Sequence, residues 1–168
     1  DDYQKRDANY QTIALIFKSA KRPDLLIRLT LIQGEELCIR RQEDKALNIY
    51  LDCACINAGE GNLILPLLEK ADKLSGKLNK NKESIPLYEK IIQRMPRFRD
   101  NKINKSYQDA ARILMYLYNA VAMSDKANKL SKMAQLGDVT LAAGSIDDTN
   151  KKKQVKAIAE LNEAIKQN

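Results

Sequence analysis

The chain has 168 residues with 29 basic and 22 acidic side chains, a net charge of +7, three cysteines and no histidine. That length buries a continuous core without disulfides or metals, and the missing histidine excludes Ser-His-Asp and Cys-His catalysis together with His-based zinc or iron sites. Six glycines and four prolines interrupt a composition rich in Leu, Ala, Lys, Glu, Gln and Arg, so an all-α fold with no strand is expected.

The predicted elements follow in chain order. Ile13, Ala14, Ile16, Phe17 and Ala20 recur at helical spacing over 10–20, and Lys21-Arg22-Pro23 closes that helix. Asp24 is placed to cap a second helix running to Gln42, with Leu25, Leu29, Ile32 and Leu37 along one side. Glu43 or Asp44 caps a third, over 45–58. After the turn Gly59-Glu60-Gly61, Asn62 caps a fourth helix to Leu78, with Pro66 near its first turn, where backbone donors are still free. Ser84 caps a fifth, over 85–95, with Pro86 in its opening turn and Pro96 behind its end. A basic connector over 97–105 leads to a sixth helix, 106–122. Ser124 caps a seventh, which Gly137 ends near Leu136.

Residues 138–150, with Gly144-Ser145 and Asp147-Asp148-Thr149-Asn150, read as a connector, and Val155, Ile158, Leu161 and Ile165 stripe a closing helix. The expected organisation is therefore a single helical-repeat domain, 1–168. It comprises an N-terminal helix (1–23), about three hairpins (24–136), a connector (137–150) and a C-terminal capping helix (151–168).

Little in the sequence offers chemistry. No GxxxxGK[ST] or GxGxxG loop is present. Cys53 and Cys55 lie two residues apart on a helix, about 200° around its axis, and so cannot share a metal; with Cys38 they read as small buried apolar residues. No cofactor and no metal are expected, and the acidic pair Glu35-Glu36, or Tyr and Lys, would be the only groups available to an enzyme. No apolar run reaches the length of a membrane span. The chain as given is expected to be soluble, in a compartment the sequence leaves open. Beginning at Asp1, it reads as a processed product or a fragment.

Small and aromatic positions repeat. Gly34 is followed by Ala46, Tyr50 and Cys53; Leu68 and Ala71 by Ser84, Tyr88, Ile91 and Pro96; and Ala111, Leu114 and Tyr118 by Ala127, with Ser131 at the aromatic position. This pattern over 24–136 resembles the tetratricopeptide repeat, in which small residues let two helices of a hairpin approach closely. Tyr50 to Tyr88 and Tyr88 to Ser131 are longer steps than the usual repeat, as in a diverged relative. The resemblance implies stacked antiparallel hairpins, an aromatic filling the space between one hairpin and the next, and a concave face lined by the first helix of each hairpin. Gly34, Ala46, Tyr50, Cys53, Leu68, Tyr88, Ile91, Ala111, Leu114 and Ala127 are then expected to be buried.

Charge is unevenly spread: residues 70–105 carry a net +7, against −2 before them, −1 over 106–150 and +3 over 151–168. Lys70, Lys73, Lys77 and Lys80 share a helix face, and Arg94, Arg97 and Arg99 surround Phe98. These features point to a non-catalytic scaffold for protein interaction that binds a peptide segment of a partner, acidic in character. The proposed contacts are Lys70, Lys73, Lys77, Arg94, Arg97, Phe98, Arg99, Lys102 and Arg112. A nucleic-acid-binding helical repeat using the same 70–105 segment is the alternative, and a solvated lysine face is the plainer reading of the stripe.

Overall fold

In the computed structural model, residues 2–136 are described, and Asp1–Gln135 forms one unit. The connector over 137–150, the capping helix over 151–168 and the stop at Gly137 lie outside the described residues. Among the described residues seven α-helices succeed one another: α1 (Asp2–Ser19), α2 (Pro23–Ile39), α3 (Glu43–Ile56), α4 (Leu65–Lys77), α5 (Asn81–Arg94), α6 (Lys105–Ala120) and α7 (Ser124–Met133). A 3-10 segment, Ala58–Ile64, precedes α4. A hairpin of two-residue strands, β1 (Phe98–Arg99) and β2 (Lys102–Ile103), separates α5 from α6. The described residues are thus all-α apart from that hairpin. Its turn residues Asp100 and Asn101 both take positive φ, 53° and 60°, as a tight two-residue turn requires. The expectation of no strand is corrected here: the turn uses Asp-Asn where a glycine would have been the visible signal.

Most helices begin earlier than expected, for one recurring reason. Lys21, Arg41, Asn79 and Ala122 all sit in the left-handed region, with φ between 52° and 59°. The next residue then donates its N–H back five residues: Arg22 to Phe17, Gln42 to Leu37, Lys80 to Ser75 and Met123 to Tyr118, at 2.8 to 2.9 Å. This is the Schellman ending, which satisfies the last carbonyls of one helix, and the same donor residue serves as N-cap of the next helix. Asp24, Glu43, Asp44, Ser84 and Ser124 therefore lie inside their helices instead of capping them. Pro86 falls in the second turn of α5, not the first. α1 begins at Asp2, not Tyr10.

Asn62 caps nothing either: it lies in the 3-10 segment and its side-chain oxygen accepts from the Ser106 hydroxyl. That segment turns at Gly61, whose φ of 53° suits glycine. A side-chain cap is made by Asn104, which accepts from the N–H of Ser106 at the start of α6.

Packing follows chain order. Each helix lies against the next, and α2 also reaches α4, α3 reaches α5, and α4 reaches α6. All ten residues expected in the core are buried. Gly34 explains how α2 and α3 come so close: a Cβ there would stand 2.2 Å from the Tyr50 ring. The Tyr50 hydroxyl reaches the Leu31 carbonyl on the same helix at 3.5 Å. Tyr88 repeats this in the next hairpin, donating to the Leu68 carbonyl on α4 at 2.9 Å. Both acceptors lie three residues before the small residue, Gly34 or Ala71. Each tyrosine hydroxyl thus ties its ring to the other helix of its own pair. Ser84, freed from capping, is buried and bonds Ser75 across α4 and α5 at 2.7 Å.

Candidate partner-binding surface

The lysine stripe of α4 does not stand free. Pro66, Lys70, Lys73 and Lys77 occupy its exposed face. Lys70 donates to Glu35 on α2 at 2.8 Å, Lys77 pairs with Glu43, and Lys80 pairs with Asp44 at the start of α3. Three of the four cations are therefore matched by carboxylates of the preceding hairpin. Lys73 alone of the stripe is exposed with no ion pair among the described residues. Glu36, next to Glu35 in sequence, instead accepts from Arg6 at 3.0 Å and Tyr10 at 2.9 Å, both on α1. The adjacent carboxylates thus tie α2 to two different helices and do not act on a common point.

The remaining predicted contacts divide. Arg112 pairs with Asp109 one turn away at 2.6 Å. Arg94 leans toward the Cys55 carbonyl at 3.3 Å. Arg99 and Lys102, opposite each other on the β-hairpin, are exposed. Phe98 is 56 % exposed and its ring lies 5.1 Å from the Arg97 guanidinium. Of the nine residues, Lys70, Lys77, Arg94 and Arg112 are thus engaged by other groups of the protein, while Lys73, Phe98, Arg99 and Lys102 are exposed.

Arg97 leads to a surface that the sequence did not reveal. A groove of about 500 Å3 runs between α5, α6 and α7, its apolar floor made by Ile92, Met95, Tyr107, Leu114, Leu130 and Met133. Arg97, Lys126 and Lys129 line its edge with Glu89. Glu89 accepts from Lys126 at 2.9 Å and from the Tyr118 hydroxyl at 2.7 Å, and these two bonds, that from Lys126 foremost, hold its carboxyl below the usual range. Arg97 donates from Nη2 to the Met133 carbonyl at the end of α7, yet its Nε–H is buried with no partner among the described residues. Lys129 has no ion pair among the described residues. The groove thus combines apolar surface with the cations Arg97 and Lys129 on its rim.

The sequence matches no protein-family model, no curated protein and no solved structure. Its chemistry is read from the site alone. Cys53 and Cys55 are buried free thiols, whereas Cys38 is only half-buried, short of the burial expected for it, and among the described residues no group of three His, Cys, Asp or Glu side chains converges on a point that a metal could occupy. Burial pushes the Cys53 thiol up, away from the thiolate that a nucleophile needs. No helix among the described residues is long and apolar enough to cross a membrane.

Proposed function

We propose that this chain is a non-catalytic scaffold of tetratricopeptide-like hairpins, and that the groove between α5, α6 and α7 receives an acidic, amphipathic segment of a partner protein. The stacking is supported by the Schellman turn recurring at 41, 79 and 122, and by the tyrosine-to-carbonyl bond repeated in α2–α3 and α4–α5. The longer period has a local source. The turns inside the hairpins match, while the links between hairpins are lengthened by the 3-10 segment and by the β-hairpin.

The observation that carries the binding reading is an apolar groove with the Arg97 guanidinium on its edge. An apolar floor draws apolar side chains at helical spacing, and a guanidinium on the rim is matched best by a carboxylate. Lys129 adds a second cation on the same rim.

The probe is a labelled peptide of leucine and glutamate, patterned to give one apolar and one acidic helical face, with a lysine-for-glutamate version as control. The acidic peptide should bind and the basic one should not, and Lys129→Glu should weaken binding at an unchanged melting temperature. Equal binding of both peptides, or tighter binding of labelled single-stranded RNA at low salt, would overturn the reading.

A further inference from the structure

The sulfur-bearing side chains of this protein are three cysteines and four methionines, all among the described residues. They differ in how far solvent reaches them. Cys53 and Cys55 are buried, and Cys38 is half-buried with its thiol pushed up by that burial, which withholds the thiolate that peroxides oxidise. Met95 and Met115 are 4 % and 5 % exposed, and Met123 is half-buried. Met133, the last residue of α7, is 39 % exposed.

Met133 also stands where the groove would be read. It forms part of the apolar floor between α5, α6 and α7, and its backbone carbonyl accepts from Arg97 on the rim. Floor and cationic edge thus meet at this residue. A thioether there is apolar and pliable and suits a leucine of an incoming helix. A sulfoxide is polar, and covering it with an apolar side chain takes a strong acceptor out of water without a partner.

We infer that Met133 is a reversible oxidation site through which peroxide lowers the affinity of the groove for its partner. This rests on the groove being the binding surface. In the forward step the thioether sulfur attacks one oxygen of hydrogen peroxide, so that an S–O bond forms and the O–O bond breaks. The other oxygen leaves as hydroxide and takes the proton of the transferred hydroxyl to become water. Sulfur loses two electrons and the peroxide gains them. In the reverse step, catalysed by methionine sulfoxide reductases, two thiols supply the electrons, and a disulfide and water are released.

The test treats the whole chain with dilute hydrogen peroxide, removes the excess, and maps the added oxygen by mass spectrometry. The first oxygen should fall on Met133, ahead of Met123, Met95 and Met115. Affinity for the labelled leucine-glutamate peptide, which carries no sulfur of its own, should then fall about tenfold at an unchanged melting temperature. Incubation with dithiothreitol and methionine sulfoxide reductases for both epimers should restore it. In Met133→Leu, compared with its own untreated affinity, peroxide should change nothing. A first oxygen on another side chain, undiminished affinity once Met133 is oxidised, an equal loss in Met133→Leu, or no recovery on reduction would each overturn the inference and leave the groove reading in place. Failure of the untreated chain to bind the peptide would overturn both.

Discussion

Gly34 and Tyr50 show how much of this architecture rests on single contacts. The Tyr50 ring occupies the place a Cβ on residue 34 would need, so Gly34→Ala forces either the ring or the α2–α3 spacing to give. Overpacking of that kind costs about 1 to 3 kcal/mol. In a Tyr50→Leu background the same substitution should cost clearly less, because the clash is with the ring and not with backbone. Urea unfolding of the four proteins in a double-mutant cycle measures the difference, and additive costs would mean that the ring does not set the helix spacing. The small-aromatic pairing was legible in the sequence because it depends on residue size at fixed spacing. The direction in which the ring packs was not, since spacing alone does not tell which neighbour a buried tyrosine meets.

At the scale of elements, the helices were legible and their starts were not. Apolar spacing announced the first two helices and prolines and polar turns marked off the later ones, but the stop signals are carried by Lys21, Arg41, Asn79 and Ala122, none of them glycine. Serine and acidic residues just downstream then looked like caps. This makes Ala122 a useful probe: a residue held at positive φ without a stabilising side chain is strained, and glycine is not. Ala122→Gly should raise stability by about 0.5 to 1 kcal/mol, read as a shift of the urea midpoint; a loss would mean that unfolded-chain entropy outweighs the relief.

α1 stands apart from the other helices because it buries no residue and is fastened to α2 largely by polar groups. Its hold should therefore depend on pH. The hydrogen bond from Arg40 keeps the Asp7 carboxyl below its ordinary value of 3.8. For Glu36, burial works upward but is outweighed by Tyr10 and Arg6, leaving it below 4.5. Groups with lowered folded values contribute fully above the ordinary carboxylate range and lose that contribution as pH falls through the folded value. Between pH 6 and pH 3 the α1 amides should lose protection from hydrogen exchange before those of α3 or α4. Simultaneous loss throughout would show that α1 is held by something other than this network.

Across the whole molecule, the local charge of +7 over 70–105 overstates the field at the exposed face of α4. The basic run over 70–105 was visible in the sequence, but Glu35, Glu43 and Asp44, which answer Lys70, Lys77 and Lys80, are more than thirty residues away along the chain. A one-dimensional charge count cannot register pairs made across helices. The groove was hidden for a related reason: its floor comes from three helices, and each of its residues alone reads as ordinary core. Exposed ion pairs of this kind add under about 1 kcal/mol each, so the ladder alters recognition more than stability.

The acidic peptide should accordingly sense the two surfaces differently. Lys73→Glu, on the face that carries the ladder, should leave its affinity unchanged, whereas Lys129→Glu, on the groove rim, should lower it. Raising salt from about 50 to about 300 mM should weaken wild-type binding and shrink the Lys129→Glu effect, because rim charges are screened over roughly 10 Å or less. Fluorescence anisotropy at the two salt concentrations decides the matter. A larger loss from Lys73→Glu would return the binding surface to the stripe of α4.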